Sequence, residues 1–184
     1  MKNLLIYIAL ISLTGCVNNK EDKAINCPYV DWDTFDKYYG LQSNLDVAIN
    51  DLGNINLCAK ELNKPILTIY GCWACVGDQK GVIHPLTNKK INNLLNEKFL
   101  IRHYYVDDKT LLPDSLIKND VKTVGKYFSN KQANSYRSNS QPFYTITDWR
   151  EKDLTNPISY VPRKKVNEFE SFLLKGLEAF KMQK

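Results

Sequence analysis

The sequence has only one long hydrophobic run, at its very start, and it lacks both a strong excess of one charge and an internal repeat. A protein with several membrane spans is therefore excluded, because each helical span takes about 20 apolar residues. The 25 Lys and Arg against 20 Asp and Glu leave a net charge of +5, which is too mild and too dispersed to indicate nucleic-acid binding. With 43% hydrophobic and 24% charged residues, the composition also excludes a disordered chain and a collagen-like fibre.

What the sequence does contain is one domain's length of chain and an odd number of cysteines. The 184 residues correspond to a single compact domain with a tail. The five cysteines cannot all pair with one another within the chain, so at least one of them needs a different role.

The first cysteine lies at the end of the hydrophobic run. Lys2 precedes an apolar stretch of ten residues, Leu4–Leu13, which is too short to span a bilayer but typical of a signal peptide. The LTGC sequence that ends at Cys16 resembles the lipobox of bacterial lipoproteins. The resemblance implies a signal peptide over residues 1–15 and lipid on Cys16; the alternative is a simple secretory signal with an incidental cysteine.

Residues 16–26 are polar and without periodicity, which predicts a lipidated tether between membrane and domain. Val17 is not the Asp that retains many lipoproteins in the inner membrane, so the resemblance implies an anchor in the outer membrane. Lys20-Glu21-Asp22 resembles the acidic surface-export signals of some lipoproteins, which leaves both the periplasm and the cell surface open. Either compartment is oxidising, so paired cysteines are expected there.

The rest of the chain, residues 27–184, is predicted to be one α/β domain. Apolar residues at helical spacing and short β-branched runs indicate its elements. They are a helix over 45–62 interrupted at Gly53, a strand over 65–70, a helix that is broken at His84-Pro85 and reaches Phe99, a strand over 99–106, a helix over 122–136, a strand over 143–147, a turn at 148–153, a strand near 158–160 and a helix over 166–180. This alternation predicts layers of helices and strands, with the first two strands parallel.

Cys72-Trp73-Ala74-Cys75 lies between the first predicted strand and a helix. A thiolate at a helix N-terminus is stabilised by the helix dipole and free amides, and a second thiol nearby can resolve a mixed disulfide. The alternatives are a structural disulfide and half of a zinc site. Neither Cys27 nor Cys58 supplies a second C-x-x-C, so we expect no metal and no cofactor.

With this motif the chain resembles the thioredoxin superfamily, and in particular the C-terminal domain of the thiol–disulfide interchange protein DsbD. The matching segments are KPIL at 64–67, WACV at 73–76, residues 99–108 and NSQPFY at 139–144. The resemblance covers residues 45–180 and implies a thioredoxin-like fold: a central mixed β-sheet flanked by helices, here with an N-terminal extension. It also implies that Pro142 is cis and that Trp73 and Pro142 flank the reactive sulfur and bind the partner's backbone. The alternative is a trans proline that opens a strand.

The resemblance leaves the identity of the attacking cysteine open. The family's spacing from the proline that precedes the first strand fits Pro65 and Cys75 better than Pro65 and Cys72. In that frame Asp78 replaces the second motif cysteine, where it would cap the helix and oppose thiolate formation by like charge. Either Cys72 attacks and Cys75 resolves, or Cys75 attacks from the helix start and Cys72 pairs with it from the loop.

Several other positions bear on this chemistry. The buried acid that assists proton transfer in thioredoxin is replaced by Ile69 or Ile66, depending on the frame, so a base must come from elsewhere or from water. His103 is predicted to be packed, and Asp107-Asp108 is predicted to be a solvated strand end.

Cys27 and Cys58 are predicted to form a structural disulfide, whose loop would contribute about 3–4 kcal/mol to stability in the chain-entropy model. Alternatively, Cys58 is a small buried hydrophobic residue on its helix.

These observations predict cell-envelope thiol–disulfide exchange on exported proteins. The expected partners are exported protein thiols or disulfides, an upstream redox partner and the membrane through the lipid anchor, without nucleic acid. The alternative is a redox-inactive thioredoxin-like lipoprotein with a binding or structural role. Asp78 favours that alternative, whereas the nearby Cys72 favours the enzyme. A copper carrier is disfavoured because no histidine follows His103.

Overall fold

The structure is a computed structural model that describes Cys27, Leu45 and residues 47–75, 85–162 and 165–183. The strands are β1 (Val47–Ile49), β2 (Ile66–Gly71), β3 (Leu100–Tyr105), β4 (Phe143–Thr147) and β5 (Ile158–Ser159). The helices are α1 (Asn54–Glu61), α2 (Lys89–Lys98), α3 (Val124–Tyr136) and α4 (Val166–Met182), with a short 3-10 helix at Asp114–Leu116. The predicted signal peptide, the tether, Asp78 and His84 lie outside the described residues.

The described strands form one mixed five-stranded sheet in the order β1-β3-β2-β4-β5. β2 and β3 are parallel, with Ile66 opposite Leu100 and Gly71 opposite Tyr105, as the sequence predicts. β1 adds to β3 in parallel, whereas β4 pairs with β2 and β5 with β4 in antiparallel fashion. The predicted mixed sheet is therefore confirmed.

Helices cover both faces of this sheet because each strand alternates its apolar side chains between two sides. On one face, Leu67, Ile69 and Ile101 join the main core cluster with residues of α2 and α4, among them Leu95 and Phe169. On the other face two smaller clusters form. One contains the buried residues Ala48, Ile55, Cys58, Ala59, Ile66 and Leu100, and the other contains Tyr70, Tyr104, Leu112, Val124, Phe128 and Phe143. The result is a three-layered α/β/α arrangement.

A polar network also lies on this second face. The guanidinium of Arg102 is buried and donates to Thr68 Oγ1 from Nε at 3.1 Å and to Glu151 Oε1 at 3.2 Å. Partial burial on its own would raise the pKa of Glu151, but the hydrogen bond and charge of Lys131 and the charge of Arg102 hold it below its usual range. The buried guanidinium is thus paired, as an ion inside a protein needs to be.

The predicted helix over 45–62 is wrong in its first part, which is strand β1 instead. The side chains of Leu45 and Val47 lie in the main cluster, while Ala48 lies in a cluster on the other face, which is the period of a strand. Pairing with β3 outweighed the weak helical pattern. The predicted break at Gly53 is confirmed: its φ is 131°, a conformation that favours glycine, and α1 begins at the next residue.

The remaining predicted elements that fall within the described residues are confirmed at nearly their predicted bounds. The strands over 99–106 and 143–147 and the helices over 122–136 and 166–180 correspond to β3, β4, α3 and α4. α2 is a separate helix, begun by Asn88, whose Oδ1 accepts from the amides of Lys90 and Ile91. None of the described helices is long and apolar enough to cross a bilayer.

Candidate functional site

The C-x-x-C motif lies where β2 leaves the sheet. Cys72 directly follows Gly71, the last residue of β2, and its side chain is joined by a disulfide to that of Cys75, with the Cα atoms 5.3 Å apart. The Cys75 amide donates to the Cys72 carbonyl at 3.3 Å, so the four residues form a tight turn. Cys72 is buried, with 8% of its surface exposed, whereas Cys75 is half-buried. The more accessible of the two cysteines is therefore the second one.

Pro142 directly precedes β4, the strand that pairs with β2, and the Gln141–Pro142 peptide bond is cis. This confirms the conformation that the family resemblance implies. In the antiparallel register Phe143 lies opposite Tyr70, so one step further Pro142 comes opposite Gly71. The buried proline and the cysteine loop thus share one end of the sheet. Its predicted role in binding a partner's backbone stays a prediction.

The structure places a carboxylate against this loop, that of Asp107, which was predicted to be a solvated strand end. One oxygen of the half-buried Asp107 carboxylate accepts from the Trp73 amide at 2.9 Å, and the other accepts from the Ala74 amide at 3.1 Å. The second oxygen also lies 3.5 Å from Cys72 Sγ. The prediction for Asp107 is therefore wrong: this side chain fixes the backbone between the two cysteines.

The strand register explains why Asp107 reaches the loop. In parallel strands the carboxyl ends lie at the same edge, and Gly71 of β2 is opposite Tyr105 of β3. Cys72 and Asp107 follow these two residues by one and two positions. The parallel pair was predicted, so counting forward from it is the signal that could have identified Asp107.

Asp108 was also predicted to be solvated, but it stabilises the segment behind the loop. Its carboxylate accepts from the Asn50 side-chain amide and, at 2.7 Å, from the Thr110 backbone amide. Asn50 in turn accepts from the Tyr105 amide at 2.8 Å, which connects β1 to the end of β3. Asp108 thus has hydrogen bonds that are separate from those of Asp107.

A column of stacked rings lies below the motif. The indole of Trp73 stacks on Tyr105 with ring centroids 3.5 Å apart, and His103 stacks with Tyr105 at 4.1 Å. His103 is fully buried, as predicted, and burial lowers the pKa of its imidazole from 6.5 to about 3. The imidazole is therefore neutral at physiological pH and supports the loop as a packed ring.

Ile66 and Ile69 are both fully buried in the core, and neither aliphatic side chain has a group that can transfer a proton. Asp107 is the carboxylate that the structure places beside a motif sulfur. The helix predicted to follow Cys75, with Asp78, lies outside the described residues, so the choice between the two frames stays a prediction.

The remaining pair of cysteines is far from this loop in the sequence. Cys27 and Cys58 are joined by a disulfide with their Cα atoms 5.7 Å apart, and Cys58 is 1% exposed in the cluster beneath α1. The predicted disulfide is therefore present in the structure, and the alternative of an unpaired Cys58 is not.

Among the described residues, no group of three or more His, Cys, Asp or Glu side chains is placed to hold a metal ion.

Comparison of the chain with protein-family models and with curated protein sequences finds no match. Solved structures do match. The DsbH oxidoreductase aligns with a TM-score of 0.50 and 14% identity, over 73% of this chain and 85% of that one. A thioredoxin from Thermus thermophilus aligns with a TM-score of 0.48 and 15% identity, over 70% and 88% of the two chains. The oxidised C-terminal domain of Neisseria meningitidis DsbD aligns with a TM-score of 0.40 and 13% identity, over 64% and 88%.

At these identities the likeness concerns the fold alone. The sheet order, the cis proline at the start of β4 and the alignment with DsbH agree with one another. This chain has the thioredoxin fold.

Proposed function

We propose that this protein carries out thiol–disulfide exchange on exported proteins in the cell envelope through Cys72 and Cys75. The observation that supports the proposal is the disulfide between these cysteines in the loop after β2, at the end of the sheet that also holds cis-Pro142. The DsbH structure that shares this fold is described as an oxidoreductase. In this proposal Trp73 and Pro142 bind the backbone of the partner beside the sulfur atoms.

The reaction moves two electrons between the motif and its partner. In the reducing direction, one motif thiolate attacks a partner disulfide, which forms a mixed disulfide and releases one partner thiol. The other motif cysteine then attacks the first, so that the second partner thiol leaves and the Cys72–Cys75 disulfide forms. The oxidising direction is the reverse. Which one runs in the cell depends on the reduction potentials of the motif and of its upstream redox partner.

The place of action follows in this proposal from Cys16. Several acyl chains on one cysteine give a lasting membrane anchor, since each buried CH₂ contributes about 0.8 kcal/mol. Radioactive palmitate should label the wild-type chain in cells, and Cys16→Ala should abolish the label. Labelling that persists in the variant would contradict the anchor but leave the exchange chemistry untouched.

The exchange itself is tested with insulin as the substrate and dithiothreitol as the reductant. The wild-type chain should accelerate insulin reduction, and the Cys72→Ala/Cys75→Ala variant should not. The matched control is Cys27→Ala/Cys58→Ala, which removes the other disulfide and should keep the activity. A folded wild-type chain without activity would contradict the proposal and favour a redox-inactive binding module.

A further inference from the structure

The two motif sulfurs have different surroundings. Cys72 is 8% exposed and its Sγ lies 3.5 Å from a carboxylate oxygen of Asp107. Cys75 is half-buried, one turn further along, and Asp107 makes its two loop hydrogen bonds before it, at Trp73 and Ala74. A thiolate has to be accessible to attack a partner, and a negative neighbour opposes its formation. Among the described residues, both the exposure of the two cysteines and the position of the Asp107 carboxylate favour Cys75 over Cys72.

The carboxylate is held in place by the loop itself. Two backbone amides donate to its two oxygens at 2.9 and 3.1 Å, which are charge-assisted hydrogen bonds. These amides are the groups that could otherwise stabilise a thiolate on Cys72. With Asp107 in that position, these two amides donate to its carboxylate and not to a Cys72 thiolate. The same carboxylate places a like charge beside the Cys72 sulfur.

We propose that Asp107 is a positioning residue that sets the order of attack, so that Cys75 attacks the partner first and Cys72 resolves the mixed disulfide. The inference rests on the exchange proposed above. It assigns the roles in the reverse of the order expected from a first motif cysteine at the start of a helix. It also gives Asp107, which follows β3, the task of keeping Cys72 protonated until the mixed disulfide has formed.

The Cys75 thiolate forms a bond with one sulfur of the partner disulfide, and the partner's S–S bond breaks to release one thiolate. The Cys72 thiol then loses its proton as its sulfur attacks Cys75 Sγ, and the mixed disulfide breaks. The second partner thiolate leaves and takes up that proton, and the first takes up a proton from water. The motif is thereby oxidised by two electrons and the partner disulfide is reduced to two thiols.

The first test reads the order directly on the reduced full chain. A limiting amount of iodoacetamide is added at pH 7, and peptide mass mapping measures the label on each cysteine over time. Cys75 should be labelled about tenfold faster than Cys72, because Cys75 is the more exposed cysteine and the Asp107 carboxylate lies beside Cys72. Asp107→Asn should speed labelling of Cys72 several-fold and leave Cys75 within about twofold.

The matched control is Asp108→Asn. It removes the neighbouring carboxylate, which contacts Asn50 and Thr110 and not the cysteine loop. Its labelling ratio should equal that of the wild type. A loop that is merely loosened by substitution would expose both cysteines, whereas the proposal requires a change at Cys72 alone. Equal labelling of the two cysteines in the wild type, or no response to Asp107→Asn, would overturn the inference.

The second test separates this inference from the proposed function. Oxidised glutathione is added to the reduced Cys72→Ala and Cys75→Ala variants, each of which keeps one motif thiol. The glutathione adduct should form quickly on Cys75 and slowly on Cys72, and adding Asp107→Asn to the Cys75→Ala variant should speed the latter. Faster adduct formation on Cys72 would overturn the order while leaving the exchange activity intact. A wild type that reduces neither insulin nor oxidised glutathione would end the proposed function, and the order with it.

Discussion

The Cys27–Cys58 and Cys72–Cys75 disulfides have similar Cα–Cα distances, 5.7 and 5.3 Å, but they close loops of very different length in different surroundings. The first spans a sequence separation of 31 residues and ends at Cys58, a residue of α1 that is 1% exposed. The second spans a separation of three residues. It lies at the carboxyl end of the central strand β2, next to Asp107. The Cα separation alone therefore does not distinguish the two disulfides, whereas loop length and surroundings do.

Loop length and surroundings predict different roles for the two disulfides. A disulfide that closes a long loop removes more conformational freedom from the unfolded chain than one that closes a short loop. A disulfide that closes a short loop contributes less to stability, but partner thiolates can reach and exchange with one whose second cysteine is only half-buried. We therefore expect the first disulfide to stabilise the fold and the second to react. Substitutions can test each half of this comparison.

The largest expected effect is on activity. Cys75→Ser should lower insulin reduction by at least about two orders of magnitude, because serine cannot form the mixed disulfide. Cys58→Ser, which breaks the other disulfide, should leave the rate per folded molecule within about twofold of the wild type. Both rates are measured by the turbidity of reduced insulin, after circular dichroism has confirmed folding. Equal losses in the two variants would erase the functional difference between the disulfides.

The next effect is on stability, where the order of the two disulfides reverses. Removing the long-loop disulfide with Cys27→Ala/Cys58→Ala should lower the free energy of unfolding by about 3–4 kcal/mol. Cys72→Ala/Cys75→Ala should lower it by less than about 2 kcal/mol, since its loop is so short. Urea titrations under non-reducing conditions give both values. A larger loss from the motif variant would mean that the motif disulfide has a structural role.

The elements of the fold and the residues of the candidate site were not all equally predictable from sequence. Strong local patterns gave the strands that became β2, β3 and β4 and the stripe of α4, because they depend on alternation and helical spacing within a few residues. The C-x-x-C and Pro142 were found because residue type and order mark them. β1 was missed because its three residues become a strand only through pairing with β3.

Asp107 was missed for a related reason. Nothing in its own neighbourhood distinguishes it from Asp108, and both read as a polar strand end. Only the register of β2 against β3 brings one of them to the amides of Trp73 and Ala74, and the other to Asn50 and Thr110. A contact between residues 33 or 34 positions apart is a property of the sheet and not of either segment.

The third effect concerns the backbone that supports Asp107. A Cβ on Gly125, at the start of α3, would lie 2.5 Å from the Asp108 amide nitrogen and 2.7 Å from the Val106 carbonyl oxygen. Because these neighbours are backbone atoms that cannot rotate away, Gly125→Ala should cost about 2–3 kcal/mol and slow insulin reduction. The control is Gly53→Ala at the start of α1, where no atom lies within 4 Å but φ is +131°. It should cost about 1 kcal/mol and leave the rate per folded molecule unchanged; a slower rate there would contradict the separation of the two regions.

The smallest expected effect is the dependence of stability on pH, which comes from His103 in the stacked rings beneath the motif. Burial lowers the pKa of His103 to about 3 from an ordinary 6.5, so between these values the unfolded chain binds a proton that the folded chain does not. Stability should therefore be unaffected above about pH 7 and should fall as the pH drops below 6.5, by about 1–2 kcal/mol between pH 7 and pH 5.

Urea titrations at pH 5, 6 and 7 measure this slope. His103→Phe keeps a ring against Tyr105 and should flatten the slope, and any constant packing cost of the larger ring cancels because only the change with pH is compared. Cys27→Ala/Cys58→Ala should be less stable at each pH but should keep the wild-type slope, because distant sites contribute additively. If His103→Phe and the wild type lost stability in parallel, the proton uptake would belong to other groups. If the slope changed when the long-loop disulfide was removed, the two regions would be energetically coupled and could not be treated as separate parts of the fold.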